Sequence, residues 1–174
     1  QDFTIAWTMK HTHSASGIDG VFNFFSLKAD IYNSELQTKD TADTRRPTGV
    51  VMIPQNFYMF TIRRMDANGD GNHTFEIEME RLSTGAVTTG SVPAGFDPTQ
   101  TNAWRISDAS QHFLQKTGVL GPVISFDGVD SASVTTAKAY LRNHYSGSGA
   151  SSGEEESSNT ENASFFAEID IQRF

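Results

Sequence analysis

The chain has 174 residues, 13 Lys and Arg against 21 Asp and Glu, a formal net charge of −8 and no Cys. That balance argues against nucleic acid as a partner, because phosphate contacts need clustered cations. The lack of thiols removes disulfides and any Cys nucleophile, and no apolar run approaches the roughly 18 residues of a membrane helix, so no membrane span is expected.

The chain opens at Gln1 without an initiator Met and runs at once into Asp2-Phe3-Thr4-Ile5-Ala6-Trp7-Thr8-Met9. A strand pattern in that position is expected of a mature chain after signal-peptide removal, the alternative being a chain trimmed at its start, so an extracellular location, secreted or at the cell surface, is the expectation. Asn72-His73-Thr74 and Asn162-Ala163-Ser164 have the form of N-glycosylation acceptors.

Alternation of apolar and polar residues, the period of a strand with one buried face, dominates the chain. Phe3, Ile5, Trp7 and Met9 share one side of the first strand. Ser14 to Gly20 is turn-like, and Val21 to Tyr32 reads as a second strand region whose Val21-Phe22-Asn23-Phe24-Phe25 start suggests burial on both faces. Residues 33–49 are polar and end in Arg45-Arg46-Pro47, so they read as a loop or ragged edge. Val50 to Ile53 is a short strand closed by Pro54, and Phe57 to Met65 with Thr74 to Leu82 form the arms of a hairpin. Gly85 to Thr101, with Pro93 and Pro98, reads as a long loop.

One short helix is predicted over 107–117, between the capping Ser107-Asp108 and Lys116-Thr117-Gly118. Val123 to Phe126, Val134 to Tyr145 and Phe165 to Phe174 read as three more strands, and the Ser, Gly and Glu-rich stretch 146–164 as a polar loop unable to offset its own ordering entropy. Strands joined by turns, without alternating helices, predict an all-β single domain over 1–174: an antiparallel β-sandwich or jelly roll. The last strand ends on an aromatic, but stepping back by two from Phe174 meets Gln172, Asp170 and Glu168, which argues against a membrane barrel.

The strongest local signal for chemistry is Asp66-Ala67-Asn68-Gly69-Asp70-Gly71-Asn72. Oxygen-bearing side chains at alternate positions with Gly at the sixth match the first half of a calcium loop, because short side chains two residues apart converge on one cation. The second half departs from the EF-hand pattern: His73 takes the eighth position and Ile77 the twelfth, and Glu76 falls one residue early. A Ca²⁺ loop at a hairpin tip is therefore expected, with Asp66, Asn68, Asp70 and the Asn72 carbonyl as ligands and Glu76 as the closing carboxylate. The competing reading is a turn, since Asn-Gly and Asp-Gly form hairpin connections with no ion.

Matching faces across the hairpin set Phe60 and Ile62 with Phe75, Ile77 and Met79, and put Thr61 and Arg63 beside Glu76, Glu78 and Glu80. Three Glu on one strand face repel one another, so solvent is the preferred covering, with cations or a neighbouring molecule's Lys or Arg as the alternative. His11 and His13 lie on one side of a strand and form a weaker candidate pair for Zn²⁺ or Cu²⁺; no third ligand can be assigned, which favours polar filler. Trp7 and Trp104 could line a sugar platform, although Phe-rich strands mostly form core. The chain carries no Gly-x-Ser-x-Gly elbow, no phosphate-cradling loop with Lys and no HExxH, so no catalytic residue is assigned. The sequence points to a calcium-stabilised structural subunit that pairs with copies of itself in an extracellular filament, tube or coat. The alternative is a monomeric module binding carbohydrates or surfaces.

Overall fold

The computed structural model describes residues 2–11, 18–24, 27–32, 34–39, 45–66, 69, 71–94, 105–106 and 118–148. Ten strands and one helix lie within them. The strands are β1 (Phe3–His11), β2 (Ile18–Phe24), β3 (Leu27–Tyr32), β4 (Glu35–Lys39), β5 (Arg45–Val51), β6 (Phe57–Met65), β7 (Thr74–Arg81), β8 (Ala86–Pro93), β9 (Arg105–Ile106) and β10 (Gly118–Asp127). The helix, α1, spans Ser131–Ser148.

All pairings are antiparallel, and they build two sheets with orders β10-β1-β6-β7-β8 and β5-β4-β3-β2-β9. Thr4, Ala6 and Thr8 of β1 are buried, so both faces of this strand are covered rather than the one expected, while Phe3, Ile5, Trp7 and Met9 form its core row. They join Tyr58, Phe60 and Ile62 of β6 and Phe75, Ile77 and Met79 of β7 in one cluster. Ile31 and Leu36 from the second sheet, Val50 of β5 and Met52 just beyond it complete that cluster, so the core lies between the sheets as a β-sandwich requires. The sheets approach closely at Gly90, where a Cβ would collide with the Thr48 carbonyl oxygen.

Four expectations change. Val21 to Tyr32 falls in two antiparallel strands, with Phe24 paired to Leu27. The polar stretch 33–49 contains β4 and most of β5; their polarity misleads because Gln37, Thr38 and Thr48 are buried, with the Thr48 hydroxyl donating to the Leu36 carbonyl. The expected loop after Gly85 begins as β8, a strand so exposed that it needs no apolar alternation.

The fourth correction matters most: Val134 to Tyr145 lies in a helix. Val134-Thr135-Thr136 favours strands locally, but Asp130 caps the segment by accepting from the Ser133 N–H at 2.8 Å. Val134, Ala137, Leu141 and Tyr145 then fall on one helical face, and Ala137 and Leu141 are buried. Tertiary packing of that stripe outweighs the local β preference. The helix expected over 107–117 and the strand expected over 165–174 lie outside the described residues.

Candidate functional site

The β6–β7 register runs unbroken from Tyr58↔Arg81 to Met65↔Thr74, so the candidate calcium loop occupies the hairpin tip, as expected. Its two described glycines, Gly69 and Gly71, have φ of 68° and 83°, the left-handed region that side chains other than Gly or Asn seldom adopt. The Gly71 N–H donates to Asp66 Oδ2 at 2.8 Å, which draws that carboxylate across the loop. Asn72 is exposed beyond it. Asn68 and Asp70 lie outside the described residues.

Glu76 sits apart from this group. It pairs with Arg63 across the ladder, with Glu76 Oε2 2.9 Å from Arg63 Nη2. Closing a cation site with Glu76 would require leaving that partner. Among the described residues, no three His, Asp or Glu side chains gather as a metal-binding group. His11 ends β1 opposite Gly118, and its intended companion His13 lies outside the described residues.

Three residues that sequence reasoning left aside surround the tip. Asp2 Oδ1 accepts from the Asp66 N–H at 3.3 Å and lies 3.6 Å from His73 Nε2, tying the start of β1 to both ends of the loop. His73 Nδ1 is also 3.2 Å from the Gly71 carbonyl oxygen. Arg64 pairs with Phe3 and Phe75 and is buried on the core side. Burial pushes its guanidinium below the ordinary arginine range, while Asp2 and Asp66 pull it back up. The signal was present in the spacing: Arg64 continues the inward row of Phe60 and Ile62. A buried cation beside Asp2 and Asp66 offsets part of the negative charge that would otherwise draw an ion to the loop.

The acidic face of β7 has a covering that the sequence did not reveal. Lys138 of α1 pairs with Glu78, and Arg142, one helical turn on, pairs with Glu80 through Nε to Oε1 at 3.0 Å and a second contact from Nη2 to Oε2. This fork holds the Arg142 guanidinium above its ordinary range, hydrogen bonding to Glu80 outweighing desolvation. Between the two cations Leu141 is buried with Ala6 and Met59, while Tyr145 meets Phe57 at 5.2 Å between ring centroids. Solvent, the expected covering, is thus displaced over Glu78 and Glu80 by the chain's own helix.

These pairs occupy Glu76, Glu78 and Glu80 structurally, so acid–base chemistry there would first have to break an ion pair. Trp7 is stacked on Phe60 inside the core, 4.8 Å between centroids and 11° between planes, so it presents no sugar platform. Trp104 lies outside the described residues. Among the described residues no helix is long and apolar enough to cross a membrane. Comparison with known protein families finds no family model that matches the chain, and comparison with curated proteins finds no match.

Proposed function

We propose that this chain is a structural subunit that assembles with copies of itself into an extracellular filament, tube or coat, with Ca²⁺ steadying the β6–β7 loop. The observation that carries the reading is the openness of the sandwich: neither sheet closes on itself, and each ends in strands with one hydrogen-bonded neighbour among the described strands. Open edges are templates for pairing with another chain. The first strand is not one of them, since β1 is paired on both sides by β10 and β6.

Calcium is supported by Asp66 reaching across a loop bent at Gly69 and Gly71. A loop with few carboxylates and a neighbouring buried Arg64 suits a weak site, of the kind filled at the roughly 10⁻⁴ to 10⁻³ M dissociation constants of extracellular modules. Because the unfolded chain lacks the site, a hundredfold excess of Ca²⁺ over its dissociation constant should raise stability by about 2.7 kcal/mol. Negative-stain imaging and thermal melting, each with Ca²⁺ and with a chelator, test both parts. Ordered assemblies and a calcium-dependent rise in melting that disappears in Asp70→Ala support the reading. A dispersed particle that binds glycans would replace it with the surface-binding alternative.

A further inference from the structure

Among the described strands the two sheets have four edges, and three of them carry features that hinder strand addition. β10 has Pro122 in its middle and a register shift against β1 between Trp7 and Met9. β5 contains Arg45, Arg46 and Pro47 and a shift in its pairing with β4 between Leu36 and Gln37. β9 is only two residues long. Prolines, charges, bulges and shortness are the devices by which sheets keep their edges from pairing with other chains.

β8 has none of these before its last residue. Its eight residues, Ala86-Val87-Thr88-Thr89-Gly90-Ser91-Val92-Pro93, carry no charge, and its only proline is the last residue. Its register against β7 runs without a shift from Arg81↔Ala86 to Thr74↔Pro93. β7 is its one hydrogen-bonded neighbour among the described strands. Val87 is 53% exposed, and Val51 and Ile53, 56% and 52% exposed, lie at the end of β5 and just beyond it. The Ile53 backbone bonds to the Tyr58 hydroxyl, and Tyr58 shares a ladder row with Arg81 and Ala86, which puts Ile53 and Val87 at the same end of the sandwich.

We propose that β8 is the docking edge for the β8 strand of a second copy, joined antiparallel across a two-fold axis so that the two five-stranded sheets become one. This rests on the self-assembly reading above and names the contact through which assembly begins. A second copy fits for electrostatic reasons. Two chains of net charge −8 repel, yet β8 is uncharged and the Glu row beside it on β7 is already met by Arg63, Lys138 and Arg142. This is the edge where like meets like with the least repulsion. The geometry also fits: a two-fold axis perpendicular to the sheet sets residues of one face opposite residues of that same face. The row of Val87, Thr89 and Ser91, opposite Glu80, Glu78 and Glu76, therefore meets its own copy.

The test uses the full chain. Sedimentation across a concentration series should show the native protein associating, and Thr89→Lys, which sets like charges against each other across the axis, should raise the dissociation constant more than about tenfold. Circular dichroism confirms that the variant is folded. Mixing Thr89→Lys with Thr89→Glu should restore association that neither shows alone. Since the chain has no Cys, single substitutions Val87→Cys, Thr89→Cys and Ser91→Cys give an independent readout: oxidation should cross-link the one nearest the axis, while Asp127→Cys on β10 stays uncross-linked. A native protein that associates while Thr89→Lys associates equally well and no β8 position cross-links overturns the β8 contact alone. A native monomer at every concentration overturns the contact and the assembly reading together. In mixtures of Thr89→Cys and Ile169→Cys chains, disulfides that join the two variants and not Thr89→Cys to itself would replace the symmetric contact with donation of residues 165–174.

Discussion

The two faces of β7 are built from alternate residues of one strand and are held in opposite ways. Phe75, Ile77 and Met79 point into the sandwich, where burial stabilises them without any partner of a particular charge. Glu76, Glu78 and Glu80 point the other way and are each matched by one cation, two of them from α1. The inner face depends on volume and shape, so its stability should be nearly indifferent to salt and pH. The outer face depends on charge and on the few apolar contacts around Leu141, so it should yield first when either is disturbed. A sheet can thus carry a solid core on one side and a more conditional cover on the other.

The largest expected effect separates the faces most clearly. Ile77→Ala leaves a cavity in the sandwich and should cost about 4 kcal/mol, read as one cooperative shift of the denaturation midpoint in both helical and strand signals. Leu141→Ala should cost about 2–3 kcal/mol and act differently: the helical signal should fade before the strand signal. Coincident transitions in that variant would show that α1 and the sheet form one unit.

Smaller perturbations sharpen the same contrast. Glu80→Gln removes half of the fork with Arg142 and should cost about 1 kcal/mol, because the guanidinium is partly exposed and regains water. The stability of the variant should fall less with added salt than that of the native chain, measured by urea titration at low and high NaCl. The smallest effect concerns the helix cap. The Asp130 carboxyl lies below its ordinary 3.8 because the Ser133 backbone N–H bonds to it. Its contribution is therefore complete above the unfolded value and is lost as pH falls through the lower folded one. Acid titration should show the helical signal weakening in that range, and Asp130→Ala should remove that dependence.

Much of the inner face was legible because strict alternation leaves little choice: Phe3 to Met9 and the arms of the 57–82 hairpin could pack only one way. The outer face was not, because it depends on a segment far along the chain. Nothing near Glu78 or Glu80 says that Lys138 and Arg142 will meet them, and Val134-Thr135-Thr136 hides the helix that carries both cations. The β8 strand was hidden for another reason: an edge exposed on most of its residues is free of the apolar alternation that announces a strand. Of the candidate loop, the hairpin position and the Asp66 bend could be read from Asp-x-Asn-Gly-x-Gly chemistry, whereas the Glu76 pair with Arg63 is a cross-strand fact. Arg64 stood in plain view on the inward row and signals that the loop end of the sandwich is charged.

Assembly of the chain with copies of itself is read from the mass of the protein in solution. Sedimentation velocity in Ca²⁺-containing buffer should show species well above 19.1 kDa that grow with protein concentration and recede when a chelator is added. A single 19.1 kDa species at every concentration, with or without the ion, would contradict it.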